Sequence, residues 1–299
     1  MASYLVYGDS AADMPAHIFQ EHDIRMIPME YMLNGEPHLF NTGDPEHDRI
    51  CQDLYEEEKK GADVSTTQIT PYNYVEIWTP ELEQGNDILY LCFSSGMSAT
   101  YDNALIAAEQ LKEDFPERKI EVVDSLSGTA GQGLMTYVAA LNRDEKNMTL
   151  EENAEFMRNA AKYICHRFIV GDLNHLHKGG RVSKTAAVVG TMLNVRPGLI
   201  IDDEGKLQVV SKTRGTKAAI NKIVEASVRQ WGVEEDLPKV IFCNYCANVD
   251  ELPYFKEQME KAFGPDVRIE YVPLGPILAV HVGPSILSVC TWGKEKKDS

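Results

Sequence analysis

Three apolar runs of strand character in this chain each end in a small hydroxyl or acidic pair, just before a segment of helical character. They are Tyr4-Leu5-Val6-Tyr7 before Asp9-Ser10, Ile88-Leu89-Tyr90-Leu91-Cys92-Phe93 before Ser94-Ser95-Gly96, and Ile120-Glu121-Val122-Val123 before Asp124-Ser125. Strand–helix alternation implies a mostly parallel sheet covered on both faces. The carboxyl ends of such strands share one edge, and ligands bind in the crevice outside it. Ser94-Ser95-Gly96-Met97-Ser98 is the richest of the three ends, because hydroxyls there join the unpaired N–H groups of a helix start. That combination suits a carboxylate or a phosphate. Each pair taken singly also reads as an ordinary N-cap; the three together point to a ligand edge.

The rest of the first half continues the alternation. Residues 25–29 read as a second strand, Asn34-Gly35-Glu36-Pro37 as a turn, and residues 45–59 and 71–83 as helices. Between those helices Val64-Ser65-Thr66-Thr67-Gln68-Ile69-Thr70-Pro71 is a hydroxyl-dense loop ending in a helix-initiating proline. Ala104, Leu105, Ala108, Leu111 and Phe115 recur at helical spacing, and Thr149-Leu150-Glu151-Glu152 is a capping box. The second half differs. A helix is expected from near Ser183, and Asp202-Asp203-Glu204-Gly205 is a hairpin turn implying antiparallel pairing. A long helix follows, then a strand at 239–243, a helix at 249–263, a strand at 267–272, and closing strands at 277–281 and 285–291. The expected architecture is an N-terminal three-layer α/β/α domain with a parallel sheet over 1–164. A C-terminal α/β domain follows over 165–299, with a mixed sheet, helices on one face, and the ligand between the two domains.

At 299 residues the chain can bury two cores. Its net charge of −17 argues against a nucleic-acid binder and against broad adsorption to anionic membranes. It leaves transient contact with a membrane surface open. The opening residues show neither a basic stretch nor a long apolar run, so no secretory signal, no spanning segment and a cytoplasmic location are expected. Four of the six cysteines (Cys92, Cys165, Cys243, Cys290) sit in strand-like runs, where a thiol acts as a small hydrophobe. Cys243-Asn244-Tyr245-Cys246 has redox spacing but lacks a following helix start and a second ligand pair, so it reads as structural. No metal or cofactor is expected.

Two further features could carry chemistry. Lys178-Gly179-Gly180-Arg181-Val182-Ser183 sets an arginine beside glycines that let backbone approach a ligand, without the Walker pattern. His281 lies in the apolar run Ile277–Val282 before Gly283-Pro284, the expected end of a strand. Ser94, Ser95 or Ser98 with His281 and Asp9 gives the alternative reading, a serine hydrolase or esterase acting on acyl substrates. The G-x-S-x-G elbow is missing, however, because Gly96-Met97-Ser98-Ala99-Thr100 has no closing glycine. An Asp9-based Mg²⁺ site lacks a second aspartate two residues on.

The ordered set Asp9-Ser10 with Asp13-Met14-Pro15, Thr66-Thr67-Gln68, Ser94-Ser95-Gly96-Met97-Ser98-Ala99-Thr100-Tyr101, Val123-Asp124-Ser125, Asp172-Leu173, Gly179-Gly180-Arg181, Leu193-Asn194-Val195-Arg196-Pro197 and His281-Val282-Gly283-Pro284 resembles the DegV family of bacterial fatty-acid-binding proteins over almost the whole chain. Thr67 stands where the family's loop has serine and keeps the hydroxyl; Ala99 stands where the family's turn has glycine. The resemblance implies a long-chain fatty acid between two α/β domains, its carboxylate held near Thr66 and Thr67 and by Ser94 or Ser95. It places Arg181 and His281 near the ligand head. It further implies a partner, a separate ATP-dependent fatty acid kinase that phosphorylates the presented carboxylate, and no catalysis by this chain itself.

A sixteen-carbon chain would gain roughly 10 kcal/mol from burial before entropy and desolvation are subtracted. Its head must then be fully hydrogen-bonded, since an unpaired buried carboxylate costs several kcal/mol. Ile27, Met29, Met192, Leu193, Val195 and Leu199 are candidates for the apolar wall.

Overall fold

The structure is a computed structural model describing residues 4–183, 194–232, 237–247, 250–294 and 296. Its first half contains β1 (Tyr4–Asp9), α1 (Ala16–Glu21), β2 (Ile24–Ile27), β3 (Met29–Leu33), β4 (Glu36–Phe40), α2 (His47–Lys59), β5 (Val64–Thr66), α3 (Pro71–Glu83), β6 (Asp87–Cys92), α4 (Thr100–Asp114), β7 (Ile120–Asp124), α5 (Thr129–Asp144) and α6 (Leu150–Ala160). Strands β2-β1-β6-β7 form a four-stranded sheet paired in parallel throughout. Alternation along β6 shows how two layers of helix are recruited. Ile88, Tyr90 and Cys92 join one core with Trp78 of α3 and Ala104 of α4, whereas Leu89 and Leu91 join another with Leu134 and Val138 of α5. The helix starts follow their sequence signals. Thr70 and Thr149 both close capping boxes, and Pro71 occupies the first turn of α3.

A second, small sheet was not legible in advance. The segment read as one strand over 25–29 splits at Pro28: β2 stays in the parallel sheet, and β3 leaves it to pair antiparallel with β4 and β5. Asn34 and Gly35, both with positive φ, make the turn between β3 and β4. The hydroxyl-dense loop therefore begins as a strand, with Thr66 opposite Tyr31.

The second half contains β8 (Ile164–Val170), α7 (Asn174–Lys178), β9 (Val195–Ile201), β10 (Leu207–Arg214), α8 (Thr216–Gln230), β11 (Val240–Tyr245), α9 (Leu252–Phe263), β12 (Arg268–Pro273), α10 (Pro276–Val282) and β13 (Ile286–Trp292). The sheet order β10-β9-β8-β13-β11-β12 is antiparallel except for the parallel pair β11–β12, which makes it a mixed sheet. Helices α8 and α9 cover one face through Ile220, Ile223, Phe255 and Met259. The other face is covered by α5: Phe242, Cys290 and Trp292 share a core with Leu134, Tyr137 and Val6. Helix α5 is thus sandwiched between the two large sheets, and residues 130–142 are all buried. The helix expected from Ser183, with Met192 and Leu193, lies outside the described residues.

One element is corrected. Residues 277–281, expected as a strand, form α10, with Pro276 in its first turn and Gly283 at φ +83° ending it. The run is buried on nearly every side, and an all-apolar segment of this length carries no periodicity to separate strand from helix. The flanking prolines and glycines were the usable signal.

Candidate functional site

Between the sheets lies a cavity of about 130 Å³, room for about four water molecules at the liquid's share of about 30 Å³ each. Its walls are mostly apolar, with Phe93, Phe168, Leu176, Leu207, Ile277 and Ile286 contributed by both halves of the chain. At one end three elements bring polar groups together. Strand β5 supplies Thr66, α10 supplies His281, and the glycine turn after α7 supplies Arg181. The Thr66 hydroxyl lies 2.8 Å from His281 Nε2. Burial, with the Arg181 guanidinium nearby, pushes the His281 pKa down to about 4, so the ring is neutral at pH 7. The half-buried Arg181 guanidinium donates to the Gly179 carbonyl and also borders an outer polar groove with Gly96, Lys206 and Gln208. Gly179 is required by close approach: a Cβ there would stand 2.8 Å from His281 Nδ1.

Helix α10 is itself held from the first half. Buried Asp13 accepts from the Gly275 N–H at the start of α10 (2.9 Å) and from Asn244 Nδ2 (3.2 Å). A carboxylate at a helix N-terminus also meets the positive end of the helix dipole. Burial nevertheless raises the Asp13 pKa to about 8. His166, also on the cavity wall, is held by buried neighbours: its Nε2 lies 2.5 Å from the Ser127 hydroxyl, and Nδ1 lies 3.3 Å from Cys290 Sγ.

Of the six sequence candidates, Thr66, Thr67, Arg181 and His281 line this cavity, and Ser94 and Ser95 do not. Thr67 is exposed, and its hydroxyl donates to Glu30 (3.1 Å). The Ser94 hydroxyl is buried and donates to the Gly205 carbonyl (2.8 Å), docking the Ser94–Gly96 turn on the β9–β10 hairpin. That dock is backbone against backbone: a Cβ on Gly96 would stand 2.5 Å from the Glu204 carbonyl oxygen. Ser95 is exposed, and its N–H donates to Asp124 (3.2 Å). The same turn does reach the cavity, but through Met97 and Ser98. The strand-end acids likewise serve the fold, Asp9 accepting from the Tyr90 hydroxyl (2.6 Å) and the Phe93 N–H (3.0 Å).

The hydrolase triad is therefore not assembled. His281 is bonded to Thr66 of the small sheet, Ser94 to a carbonyl, Ser98 to the Thr100 hydroxyl, and Asp9 to a tyrosine, while Ser95 is exposed outside the cavity. Among the expected wall residues Met29 lines the cavity, Ile27 and Leu199 are buried elsewhere in the core, and Val195 is half-buried away from it. Sequence reasoning passed over His166 on the wall and the anchoring role of Asp13, and it gave Met97 and Ser98, both within the Ser94–Tyr101 motif, no place in the binding site; His166 stood in no motif that could have flagged it.

Comparison with known proteins agrees with this architecture. A family model, described as DegV-family uncharacterised protein, matches residues 4–294. DegV domain-containing protein YteA of Lactococcus lactis is 33% identical over 297 residues, covering 99% of this chain and 100% of the relative. A DegV family protein from Thermus thermophilus, described for its fatty acid binding, superposes with a TM-score of 0.79 at 25% identity, covering 97% of this chain and 99% of that one. The Streptococcus pneumoniae Fatty Acid Kinase (Fak) B3 protein, solved loaded with linoleic acid, gives a TM-score of 0.81 at 18% identity over 98% of this chain and 100% of that one. Both of these structural neighbours are described by the fatty acid binding of the protein. Among the described residues no helix is long and apolar enough to cross a membrane. A full-length family match, a one-third-identical relative and the shared two-sheet fold together make this chain a member of the DegV family.

Proposed function

We propose that this chain binds a long-chain fatty acid in the cavity between its sheets and presents the carboxylate to a fatty acid kinase. The observation that carries the reading is the apolar cavity ending in the Thr66–His281 pair with Arg181 at its border. A fatty acid needs that asymmetry: a long apolar wall for the chain, and hydrogen-bond donors at one end for the head. In this reading Thr66 and His281 contact the carboxylate. Ser98, on the Ser94–Ser98 turn, supports the site from the other side, with Ser94 and Ser95 holding that turn rather than the ligand. Arg181, shared between the cavity and the outer groove, serves the phosphorylation step. The kinase partnership is supported by the likeness to the pneumococcal kinase-associated protein.

Mass spectrometry of an organic extract of protein purified from bacteria tests the binding; fatty acid in stoichiometric amount is expected, and a lipid-free extract that stays lipid-free after incubation with palmitate would overturn it. For the division of labour, His281→Ala is expected to weaken fatty-acid binding. Arg181→Ala should keep affinity and reduce acyl-phosphate formation when a fatty acid kinase and ATP are added. Equal loss of affinity in both variants would refute that assignment.

A further inference from the structure

On the face of the six-stranded sheet opposite the cavity lies a second cleft, about 370 Å³, between α8 and the β8–β9–β10 strands. Alternation separates the two: His166 and Phe168 of β8 face the cavity, and Arg167 faces the cleft. Among the described residues its walls carry four cations, Arg167, Lys222, Arg229 and Lys294, and no carboxylate. Among the described residues none of the four makes an ion pair, whereas most other surface arginines here have an acidic partner. The surrounding segment 207–230 has Lys212, Arg214, Lys217, Lys222 and Arg229 against the single acid Glu225, in a chain of net charge −17.

Arg167 is not a solvated surface residue. It is about half-buried, and both Nε and Nη2 donate to Gln230 Oε1 (3.1 and 2.9 Å), which fixes the guanidinium plane. Burial and the like charge of Arg229 disfavour its charged form. Gln230 is 94% buried, and its Nε2 has no oxygen or nitrogen acceptor among the described residues. A half-buried guanidinium near another cation, with a spare amide donor beside it, is an electrostatic liability until an anion joins it. Ile223 and Ala226 give the cleft an apolar side, and the β9–β10 register shifts between Val209 and Ser211 beside it.

From this we infer that the cleft is an anion site for a soluble ligand carrying two or more phosphate groups, separate from the fatty-acid cavity. Four cations around one concavity match several negative charges rather than one carboxylate, and Arg167 keeps N–H donors on Nη1 and Nη2 beyond the two it gives to Gln230. Its recessed position suits a small soluble anion, not a flat surface.

The test is calorimetric titration of the full chain with sodium tripolyphosphate, at ionic strength held constant with sodium chloride. Saturable one-site binding is expected, weakened at least about tenfold in the exposed double variant Lys222→Gln/Arg229→Gln and in Arg167→Gln, with palmitate affinity unchanged. Absence of saturable binding to the low millimolar range, or binding undiminished in the double variant, would overturn the assignment. Because the probe reads out independently of palmitate, failure here leaves the fatty-acid reading standing, and the converse holds too.

Discussion

Replacing Thr66 by valine keeps the side chain's shape and removes one hydroxyl, so it isolates the contact that joins β5 to α10. That hydroxyl lies 2.8 Å from His281 Nε2, and the imidazole, neutral at pH 7, has no other partner for this nitrogen among the described residues. Leaving a buried polar atom unpaired costs about 1–3 kcal/mol, and because Thr66 is only half-buried the lower end, about 1 kcal/mol of folding stability, is expected. The effect on binding should be larger. A hydrogen bond to a charged group contributes about 1.5–3 kcal/mol, so loss of the hydroxyl predicts roughly ten- to a hundredfold weaker palmitate binding. Urea denaturation of delipidated protein with an unchanged m-value gives the first quantity; fluorescence competition gives the second. Thr67→Val is the control, since its exposed hydroxyl engages Glu30. Wild-type affinity in Thr66→Val, or a larger loss in Thr67→Val, would refute this account of the head-group site.

Other outcomes follow from the same geometry. A bound carboxylate should raise the His281 pKa from about 4, so palmitate affinity should rise as pH falls below 7 until the fatty acid itself protonates; the His281→Gln variant should lack that slope. Asp13 has a folded-state pKa of about 8, above the ordinary carboxyl value, so its contribution is fully present below pH ~4 and lost as pH rises through 8. Urea midpoints measured from pH 6 to 9 should fall in wild type and fall less in Asp13→Asn. Gly131→Ala would put a Cβ 2.2 Å from His166 Cε1 inside the buried helix α5, and a loss of about 1–3 kcal/mol or more is expected in thermal or urea melts.

Much of the architecture was legible along the chain because it rests on local physics. Alternating apolar runs and helical spacing announced the parallel sheet and its helices, the Thr70 and Thr149 caps announced helix starts, and Asp202–Gly205 announced the hairpin. Thr66, Arg181 and His281 were named along the chain as candidates, and the fold brings all three to one cavity. What local physics cannot encode is which polar group finds which partner. Ser94 and Thr66 are equally plausible head-group ligands as sequence, yet one hydroxyl docks on the Gly205 carbonyl and the other meets His281, 215 residues away. The departure of β3 from the parallel sheet, the helical state of residues 276–282 and the burial of α5 between two sheets are likewise settled by long-range packing. An apolar run buried on all sides satisfies its own chain equally well as strand or helix, so the choice falls to its neighbours.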